Sequence, residues 1–515
     1  MKTITNKAKW MTVVFGLAIL SSCTNSELDK INANSDNPTD VTSKFIITDI
    51  ETATAFNVVG SDLSFYASVY MEHEVGTYNQ MWDAETRVSQ PISSSTYDNG
   101  WINLYANLRS AKAVIAKCSS GGKEAGNQIT KGVSEVLAAY NLGILTDLFG
   151  DVPWTQACNI SILQPQVDSQ KTAYTALFAY LDAAITDLAG KDAAFSGSLG
   201  SQDLIFGGVV SSWIKFAYGL KARYTMHLLY RSSTPTTDLN NIITWANKSF
   251  ASPAEDAKYA VYQGQGTSAA SPFAQFYNDR DYFSVSQSFL NKLTARQDPR
   301  DSVLFMDANW NLRTNPAKIY AAPNGTPIQQ MDIYDISVYS AAFNLPTNLL
   351  SYHELQFLIA EAYARLNDTT DAWTALQNAV SSCISTKITT LVNDPSVADN
   401  IGGSAINKTS IQNYLTNQVN PLFTANPLKE IMVQKYIGLY GGEGEALEAY
   451  NDYRRLQAFG QSSFIELDNP LNTTKFPLRF GYGTSDVTAN PNISSLFGNG
   501  QYVYSEKVWW AGGTR

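Results

Sequence analysis

Residues 133–154 read VSEVLAAYNLGILTDLFGDVPW, and this stretch decides the fold class. Its large apolar side chains recur every three or four positions, which places them on one face of an α-helix. They are Val133, Val136, Leu137, Tyr140, Ile144 and Leu148. Gly150 and Pro153 follow, and a glycine with a proline close behind it typically ends a helix and starts a turn. The stretch therefore predicts an amphipathic helix that ends at a sharp turn.

The same spacing of apolar residues recurs along the chain. Helices are predicted over residues 101–115, 174–188, 213–224, 355–366, 428–440 and 446–457. Several of them begin about 30 to 40 residues apart, the period of stacked helix pairs such as tetratricopeptide repeats. Long segments rich in Gly, Asn, Ser and Pro lie between them, at 196–208, 257–272, 298–348 and 467–515. The sequence predicts a mostly α-helical protein of degenerate helical hairpins with an irregular lobe of long loops.

The N-terminal segment has the order of a secretion signal. Three lysines give a basic start, an apolar run covers residues 11–20, and two serines precede Cys23. The run is too short to span a bilayer stably. Small residues followed directly by a cysteine resemble the bacterial lipobox, whose cysteine is acylated and becomes the first residue of the mature protein. We expect a signal peptide over 1–22 and lipid on Cys23; an ordinary signal peptide with an incidental cysteine is the alternative.

The segment after Cys23 has the composition of a linker. Residues 24–40 are rich in Asn, Asp, Ser and Thr and poor in large apolar side chains. We expect 23–40 to form a lipidated, flexible leash that leads to a single domain over 41–515. Glu27 and Asp29 resemble the acidic residues that follow the cysteine in some surface-exported lipoproteins. An acidic leash without a role in export is the alternative.

The composition argues against several classes of function. The formal net charge is −10, and removing the signal segment takes away three more lysines. Such a surface repels phosphate backbones, so we expect no nucleic-acid partner. The remaining cysteines, Cys118, Cys158 and Cys383, have the spacing of neither a zinc cluster nor a disulfide-rich scaffold. Aromatic residues make up 12% of the chain and charged residues only 16%, a balance that is common in proteins that bind sugars.

The catalytic motifs in the sequence are incomplete. The segment HELQF at 353–357 begins a zinc-protease pattern, but it ends in Phe where a second His is needed one helical turn on. His227 is expected to pack within a helix, and Glu361 is expected to be a structural acid. The acids around Glu445 and Glu448 predict a solvated turn before a helix, with a cation site as the alternative. We therefore predict no catalysis, no cofactor and no bound metal, while 46 acidic residues leave a pair of glycosidase carboxylates open.

Several blocks together resemble the SusD/RagB family of outer-membrane nutrient-binding lipoproteins, specifically its second, SusD-like branch. In chain order they are LTDLFGDVPW at 145–154, DPR at 298–300, ELQFLIAEA at 354–362, and QKYIGLY at 434–440 followed by AYNDYRR at 449–455. The resemblance covers nearly the whole mature chain, although FPLRFGYG at 476–483 follows the family's late segment only loosely. We interpret these blocks as scaffold and not as a binding site.

The resemblance implies both an architecture and a role. It implies four tetratricopeptide-like helix pairs, an irregular lobe that bears the ligand surface, and a place as a hinged lid over a SusC-like TonB-dependent transporter. The protein is then expected on the cell surface of a Gram-negative bacterium, held in the outer membrane by its lipid. There it would bind glycans and deliver oligosaccharides to the transporter. A peptide-binding member of the family, a surface-anchored glycoside hydrolase and an adhesin are the alternatives.

Residues 74–87 hold the mixture of side chains that sugars require. An aromatic ring stacks on the apolar face of a sugar, and polar side chains bond the hydroxyl groups at its edge. The candidate ligand-binding residues in this segment are Tyr78, Asn79, Trp82, Asp83 and Arg87. Further candidates come from the middle lobe, the part of the chain that holds the long loops 257–272 and 298–348: Tyr282, Trp310, Tyr320 and Tyr334. The segment follows a predicted helix over 63–73, has no helical stripe of its own, and resembles the family region that contributes to the glycan surface. For Trp82 the alternative is packing against the helix that contains Trp101.

Overall fold

The end of the helix in the opening stretch shows how local sequence sets the structure. In the computed structural model this helix runs over Gln128–Phe149 and stops at Gly150, whose φ is 77°. A side chain at this φ would be strained, so the turn requires glycine. The strand Val152–Pro153 follows at once and pairs with Val167–Asp168 in an antiparallel hairpin. The predicted helix and its sharp turn are therefore both present.

The structure describes residues 40–193, 199–401, 406–441 and 444–515. The predicted signal peptide, the lipidated Cys23 and nearly all of the leash lie outside these residues. Residues Ser43–Arg515 form one compact unit.

Helices dominate this unit. They are α1 (Ser43–Ala53), α2 (Asp62–Tyr70), α3 (Asn79–Thr86), α4 (Ser93–Thr96), α5 (Asp98–Cys118), α6 (Gln128–Phe149), α7 (Gln170–Leu188), α8 (Val210–His227), α9 (Pro235–Lys248), α10 (Pro272–Arg280), α11 (Gln287–Ala295), α12 (Tyr352–Arg365), α13 (Thr369–Asn393), α14 (Ala398–Ile401), α15 (Lys408–Tyr414), α16 (Asn420–Ala425), α17 (Pro427–Gly438), α18 (Glu445–Ala458), α19 (Thr484–Ala489) and α20 (Pro491–Phe497). Every helix predicted from an apolar stripe is present, with ends that differ by a few residues.

The long helices pack as neighbouring pairs. Helix α5 contacts α6, α6 contacts α7, α8 contacts α9, and α12 contacts α13. Their apolar stripes meet in one continuous core, in which Trp101, Trp213 and Trp510 are fully buried. Helix α18 closes the scaffold by packing against α2 from the other end of the chain. The predicted fold class, a mostly α-helical scaffold of helix pairs with an irregular lobe, is confirmed.

Short strands tie distant loops to this scaffold. Those in the described residues are β1 (Glu74–Gly76), β2 (Val152–Pro153), β3 (Val167–Asp168), β4 (Ala257–Tyr259), β5 (Phe283–Val285), β6 (Phe305–Met306), β7 (Ile336–Ser337) and β8 (Thr347–Leu350). They form four antiparallel pairs: β1 with β5, β2 with β3, β4 with β8, and β6 with β7. Three of these pairs lie within the irregular lobe or join it to the early helices, so they fix loops that the helices alone would leave loose.

The prediction of a solvated acidic turn before α18 is wrong, because Glu445 and Glu448 are buried. Oε1 of Glu445 lies 2.8 Å from Nε2 of His353, and its Oε2 lies 3.0 Å from Nζ of Lys387. Burial alone would raise the pKa of Glu448, but Arg223 and His227 beside it lower that pKa below its usual range. Both acids face partners on other helices, which a local sequence pattern does not reveal.

Acids of the AEA and ELQF block are buried in the same way. Glu361 is fully buried and receives hydrogen bonds from Arg455 and from Arg365, the latter at 2.7 Å. Glu354 accepts two hydrogen bonds from Arg223, at 2.7 and 2.6 Å, in a bidentate pair. Breaking one partner of such a pair leaves an uncompensated buried charge, which costs about 3 to 5 kcal/mol. These acids are structural, as the sequence predicted for Glu361.

Three further findings concern the described residues only. Cys118, Cys158 and Cys383 are free thiols. Among the described residues, no group of three or more His, Cys, Asp or Glu side chains is placed to hold a metal ion. In the same part of the chain, none of the helices combines the length and the apolar character that crossing a bilayer would require.

Candidate functional site

Pairing of β1 with β5 brings the two groups of candidate residues together. Glu74 pairs with Val285, and Gly76 pairs with Phe283. Just past the strands, the backbone N–H of Thr77 donates to the carbonyl of Tyr282 at 2.9 Å. On its other side the backbone N–H of Gln330 donates to the carbonyl of Thr77 at 3.0 Å. The segment that follows β1 therefore lies between the stretch of chain at Tyr282 and the stretch at Gln330.

Tyr78 and Tyr282 form an aromatic pair at this junction. Their ring centroids are 5.5 Å apart with an angle of 43° between the planes, and Tyr78 is 39% exposed. Asn79 begins α3 beside them, and its backbone N–H donates to Oε1 of Gln329 at 3.1 Å. Its side-chain amide lies 3.5 Å from the hydroxyl of Tyr282. Two rings and two amide side chains thus share one exposed patch.

Trp82 lies one turn further along α3, a short helix that the sequence pattern did not indicate. Its indole N–H donates to the carbonyl of Thr326 at 2.8 Å, and the side chain is half-buried. The rings that contact Trp101 are those of Tyr105, Phe149 and Tyr482. The indole of Trp82 therefore fixes the loop of the middle lobe instead of filling the core around Trp101.

The loop that carries Thr326 is anchored to the same helix by Glu85. The carboxylate of Glu85 accepts the backbone N–H of Gly325 at 2.7 Å. Burial, and next the nearby Glu72, raise the pKa of Glu85 to about 7. Gly325 has a φ of 65°, and a Cβ there would lie 2.8 Å from the side chain of Asn469, so this position needs glycine. Together, the bonds from Trp82 and Glu85 fix this loop against α3.

A second aromatic pair lies on this loop. The rings of Tyr320 and Tyr334 have centroids 5.0 Å apart, and Tyr320 is 56% exposed. The hydroxyl of Tyr334 donates to Oε1 of Gln330, the residue that bonds Thr77. Asp335 supports the pair from below, because it accepts the backbone N–H of Tyr320 at 2.9 Å and pairs with Arg313 at 2.8 Å. The two aromatic pairs are thereby linked through Gln330.

We call this surface the aromatic face. It consists of Tyr78, Asn79, Trp82, Tyr282, Tyr320, Gln329 and Tyr334. Gln329, Gln330 and Thr326 were not predicted from the sequence. One sequence signal could have found the two glutamines. They are consecutive amide side chains between Tyr320 and Tyr334, in a loop that is longer than a simple connection between helices needs.

Three predicted residues lie apart from this face. Arg87 is only 3% exposed, and its guanidinium donates to the backbone carbonyl of Tyr70 at 3.1 Å and packs on the ring of Phe476. Asp83 is exposed but borders a separate small cavity of about 60 Å³. Trp310 stacks on Phe343 at 6.3 Å, away from both tyrosine pairs. We therefore leave these three residues out of the aromatic face.

A pair of acids lies next to Tyr282. Burial, and next the neighbouring Asp332, raise the pKa of Asp281 to about 7. A glycosidase needs two carboxyl groups about 5 to 10 Å apart with the sugar between them. A carboxyl group that is protonated near neutral pH beside an aromatic ring can also donate a hydrogen bond to a sugar hydroxyl.

The arrangement can bind a hydroxyl-rich ligand. Exposed rings offer surfaces on which the apolar face of a sugar can stack, and the amides of Asn79 and Gln329 offer donors and acceptors at the edge. Backbone ladders and the buried Glu85 hold these groups in place before a ligand arrives. A helical scaffold with a preformed aromatic surface is the layout of a ligand-binding protein.

Comparison with known proteins agrees with this layout. The family SusD-like_2, described as "Starch-binding associating with outer membrane", matches residues 35–483. A crystal structure of a SusD/RagB family protein from Bacteroides thetaiotaomicron is 41% identical, covers 92% of this chain and 100% of its own, and superposes with a TM-score of 0.86. The protein therefore belongs to the SusD/RagB family, in its SusD-like branch.

More distant structures share the fold. A chitin-binding SusD homolog from Flavobacterium johnsoniae is 18% identical, covers 91% of this chain and 98% of its own, and has a TM-score of 0.67. A SusD homolog from Bacteroides fragilis is 17% identical, covers 92% and 100%, and has a TM-score of 0.69. No protein with a curated description matches the chain. Members of the family are binding proteins associated with the outer membrane.

Proposed function

We propose that this protein binds glycans at the aromatic face and delivers them to a SusC-like TonB-dependent transporter in the outer membrane. The proposal rests on two tyrosine pairs, Tyr78 with Tyr282 and Tyr320 with Tyr334. Gln330 links them, because it accepts the hydroxyl of Tyr334 and its backbone N–H bonds the carbonyl of the residue before Tyr78. Each pair has one exposed ring, Tyr78 at 39% and Tyr320 at 56%, so the face offers two stacking surfaces for a ligand of more than one sugar unit. No catalytic step is part of the proposal.

The family supports a carbohydrate ligand. Its description names starch binding, and a structural relative is described as chitin-binding. Stacking on a tyrosine ring is largely indifferent to linkage and sugar type, so the face suits a class of glycans. Anchoring through lipid on Cys23 and a lid-like position over the transporter belong to the same proposal.

A glycan array with the purified chain lacking its first 23 residues tests the binding. We expect at least one oligosaccharide to bind. We expect Tyr78→Ala and Tyr282→Ala each to weaken that binding at least about tenfold, which corresponds to about 1.4 kcal/mol for a lost stacking surface. Tyr230→Ala is the matched control, because Tyr230 is also 41% exposed but packs on Phe459 far from the face.

Three results would contradict the proposal. The first is a peptide that binds where no glycan does, which would make the chain a peptide-binding member of the family. The second is release of shorter sugars from a bound oligosaccharide, which would make it a glycoside hydrolase. The third is glycan binding that survives in both tyrosine variants, which would place the site elsewhere.

A further inference from the structure

A polar cleft of about 510 Å³ lies outside the aromatic face. Its walls are one side of α13, strand β4 with the turn before it, and the residues that lead into β8. Clefts of roughly 300 to 1,000 Å³ are the usual size for small-molecule sites. None of the residues that line this cleft is aromatic, so a ligand here would be held by hydrogen bonds and charge and not by stacking.

Hydroxyl groups from α13 line one wall. Thr386, Thr389, Thr390 and Asn393 follow the spacing i, i+3, i+4 and i+7, which places them on one face of the helix. Helical serines and threonines often donate back to the carbonyl four residues earlier, as Thr374 and Ser382 do in this same helix. No such bond occupies the hydroxyls of Thr386, Thr389 or Thr390 within the described residues, so they are available to a ligand.

The charged side chains in and beside the cleft differ in how many hydrogen bonds they form. Asp394 accepts the backbone N–H groups of Asn344 and Ser396, at 2.9 and 2.8 Å. Asp256, which lines a smaller chamber next to the cleft, accepts the backbone N–H of Tyr352 at 2.6 Å. Burial raises the pKa of Asp256 to about 6, and the charges of His353 and Lys258 partly offset this shift. The side chain of Lys258 itself donates no hydrogen bond and forms no ion pair in the described part of the chain, whereas Asp394, the acid that lines the cleft, is already bonded.

A small enclosed chamber continues from the cleft. Lys258, Pro346, Thr386 and Thr390 line both spaces. His353 lines the chamber and is only 2% exposed, and its Nδ1 has no hydrogen-bond partner among the described residues. A buried imidazole nitrogen without a partner is costly unless a ligand or water bonds it. His353 therefore indicates, independently of the threonines, that the chamber beside the cleft accepts a polar group.

We propose that this cleft is a second ligand site that binds a carboxylated sugar, with Lys258 holding the carboxylate and Thr386 and Thr390 bonding the hydroxyl groups. A carboxylate gives the ammonium of Lys258 a direct hydrogen-bond partner, and a sugar supplies the many donors and acceptors that a wall of hydroxyls and amides requires. The proposal goes beyond the function assigned to the aromatic face, because neither site shares a residue with the other.

Binding of uronic-acid oligosaccharides to the purified full chain tests this site. The probes are di- and trimers of galacturonate, glucuronate and mannuronate, with their methyl esters as neutral controls of nearly the same shape. We expect at least one acid to bind and its methyl ester to bind at least about tenfold more weakly, the loss expected for a charge-assisted hydrogen bond.

Variants locate the binding. Lys258→Met and Thr386→Val should each weaken the acidic sugar, and Thr386→Val keeps the shape of the side chain. Thr374→Val on the same helix is the control, because its hydroxyl bonds the carbonyl of Thr370 and does not line the cleft. Tyr78→Ala should leave the acidic sugar bound, which separates this test from that of the aromatic face. Failure of every acid to bind, equal binding of acid and ester, or loss of binding in Tyr78→Ala would each overturn the proposal.

Discussion

Nε2 of His227 lies 2.8 Å from Oε2 of Glu448, and both side chains are buried. On the other side of the ring, Nδ1 lies 3.1 Å from Oδ2 of Asp147. Burial alone would lower the pKa of His227, but Asp147 and Glu448 raise it to about 9. An imidazolium between two carboxylates therefore joins helices α6, α8 and α18 in the middle of the scaffold.

We predict that this imidazolium makes stability fall at alkaline pH. The pKa of His227 rises from 6.5 to about 9 on folding, so the native state keeps a proton that the unfolded state loses between these values. The stabilisation is complete below pH 6.5 and disappears as the pH rises through about 9. In urea denaturation at pH 6, 7.5 and 9, the stability difference between the native chain and His227→Gln should shrink by about 3 kcal/mol across this range, a comparison in which the separate contribution of Glu74 cancels.

The variant His227→Gln should be less stable at pH 6 and should lose stability less steeply between pH 7 and 9. Lys429→Gln is the control, since Lys429 pairs with Glu466 at 3.4 Å on the exposed surface, where ion pairs contribute about 0 to 1 kcal/mol. An unchanged pH slope in His227→Gln would mean that the imidazole is neutral in the folded protein.

Glu74 gives a second pH dependence, in a lower range. Its carboxyl group is completely buried in β1, and burial raises its pKa to about 8, a shift that the hydroxyls of Tyr440 and Ser337 only partly offset. The folded protein thus holds a proton that the unfolded chain loses near pH 4.5, so stability falls as the pH rises from 4.5 to about 8. Glu74→Gln should be more stable than the native chain at pH 9 by about 5 kcal/mol, the free energy that corresponds to a pKa shift from 4.5 to about 8.

At pH 4 the stability of Glu74→Gln should no longer exceed that of the native chain, because the side chain at position 74 is then mostly uncharged in both proteins, folded or unfolded. Thermal denaturation over this range measures the difference. A Glu74→Gln protein that is less stable at pH 9 would show that the carboxylate is ionised in the fold and has a partner.

Trp82 tests the aromatic face directly. Trp82→Ala should abolish or strongly weaken glycan binding, because it removes a half-buried ring and releases the loop held through the carbonyl of Thr326. The stability cost should stay below the roughly 3 to 5 kcal/mol of an emptied buried tryptophan site. Trp82→Phe keeps a ring and loses the N–H donor, so it separates stacking from loop anchoring. Calorimetry gives both numbers, and a cost in the full range for a buried site would assign Trp82 to the core.

Cys23→Ala tests the anchor. Acyl chains contribute about 0.8 kcal/mol of membrane affinity for each buried CH₂ group, so a chain without them should be released into the medium or the periplasm. Cell fractionation with a high-salt wash measures this, and Cys158→Ala serves as the matched cysteine control because it leaves residue 23 untouched. Membrane retention of Cys23→Ala after the wash would show that the cysteine is incidental.

The partner is tested by extraction in mild detergent. We expect the protein to co-purify with a TonB-dependent barrel, through an interface large enough for isolation yet polar enough to open. The same extraction of Cys23→Ala, expressed with the barrel, shows whether contact or co-localisation holds the two together. Recovery of the protein alone in several detergents would argue against a lid.

The helices could be predicted from the sequence because each long helix carries its own apolar stripe. Helix α3 could not, since its eight residues form a single short stretch in which Met81 and Ala84 are the buried apolar side chains. The burial of Glu445 and Glu448 could not be predicted either. Their partners His353, Lys387 and His227 lie on other helices, and a run of acids after glycines looks like a solvated turn when read alone.

The sequence could predict which types of side chain form the candidate site, but not which of these residues lie together in the fold. Tyr78 and Tyr282 were both candidates, yet only the β1 and β5 pairing shows that their rings meet. Arg87 looked like a surface group, and its burial depends on carbonyls and a ring from elsewhere in the fold. Long-range strand pairs carry almost no local signal when each strand is three residues long.

The contact between Asn79 and Gln329 joins residues that are 250 positions apart in the chain. During synthesis, α3 therefore leaves the ribosome long before the loop that completes the surface around it. Contacts between such distant segments form slowly, because the intervening chain must first be ordered. A chain clipped or halted before residue 329 can build its early helices but has nothing with which to capture a ligand. The proposed binding surface is thus completed only late in the synthesis of each molecule.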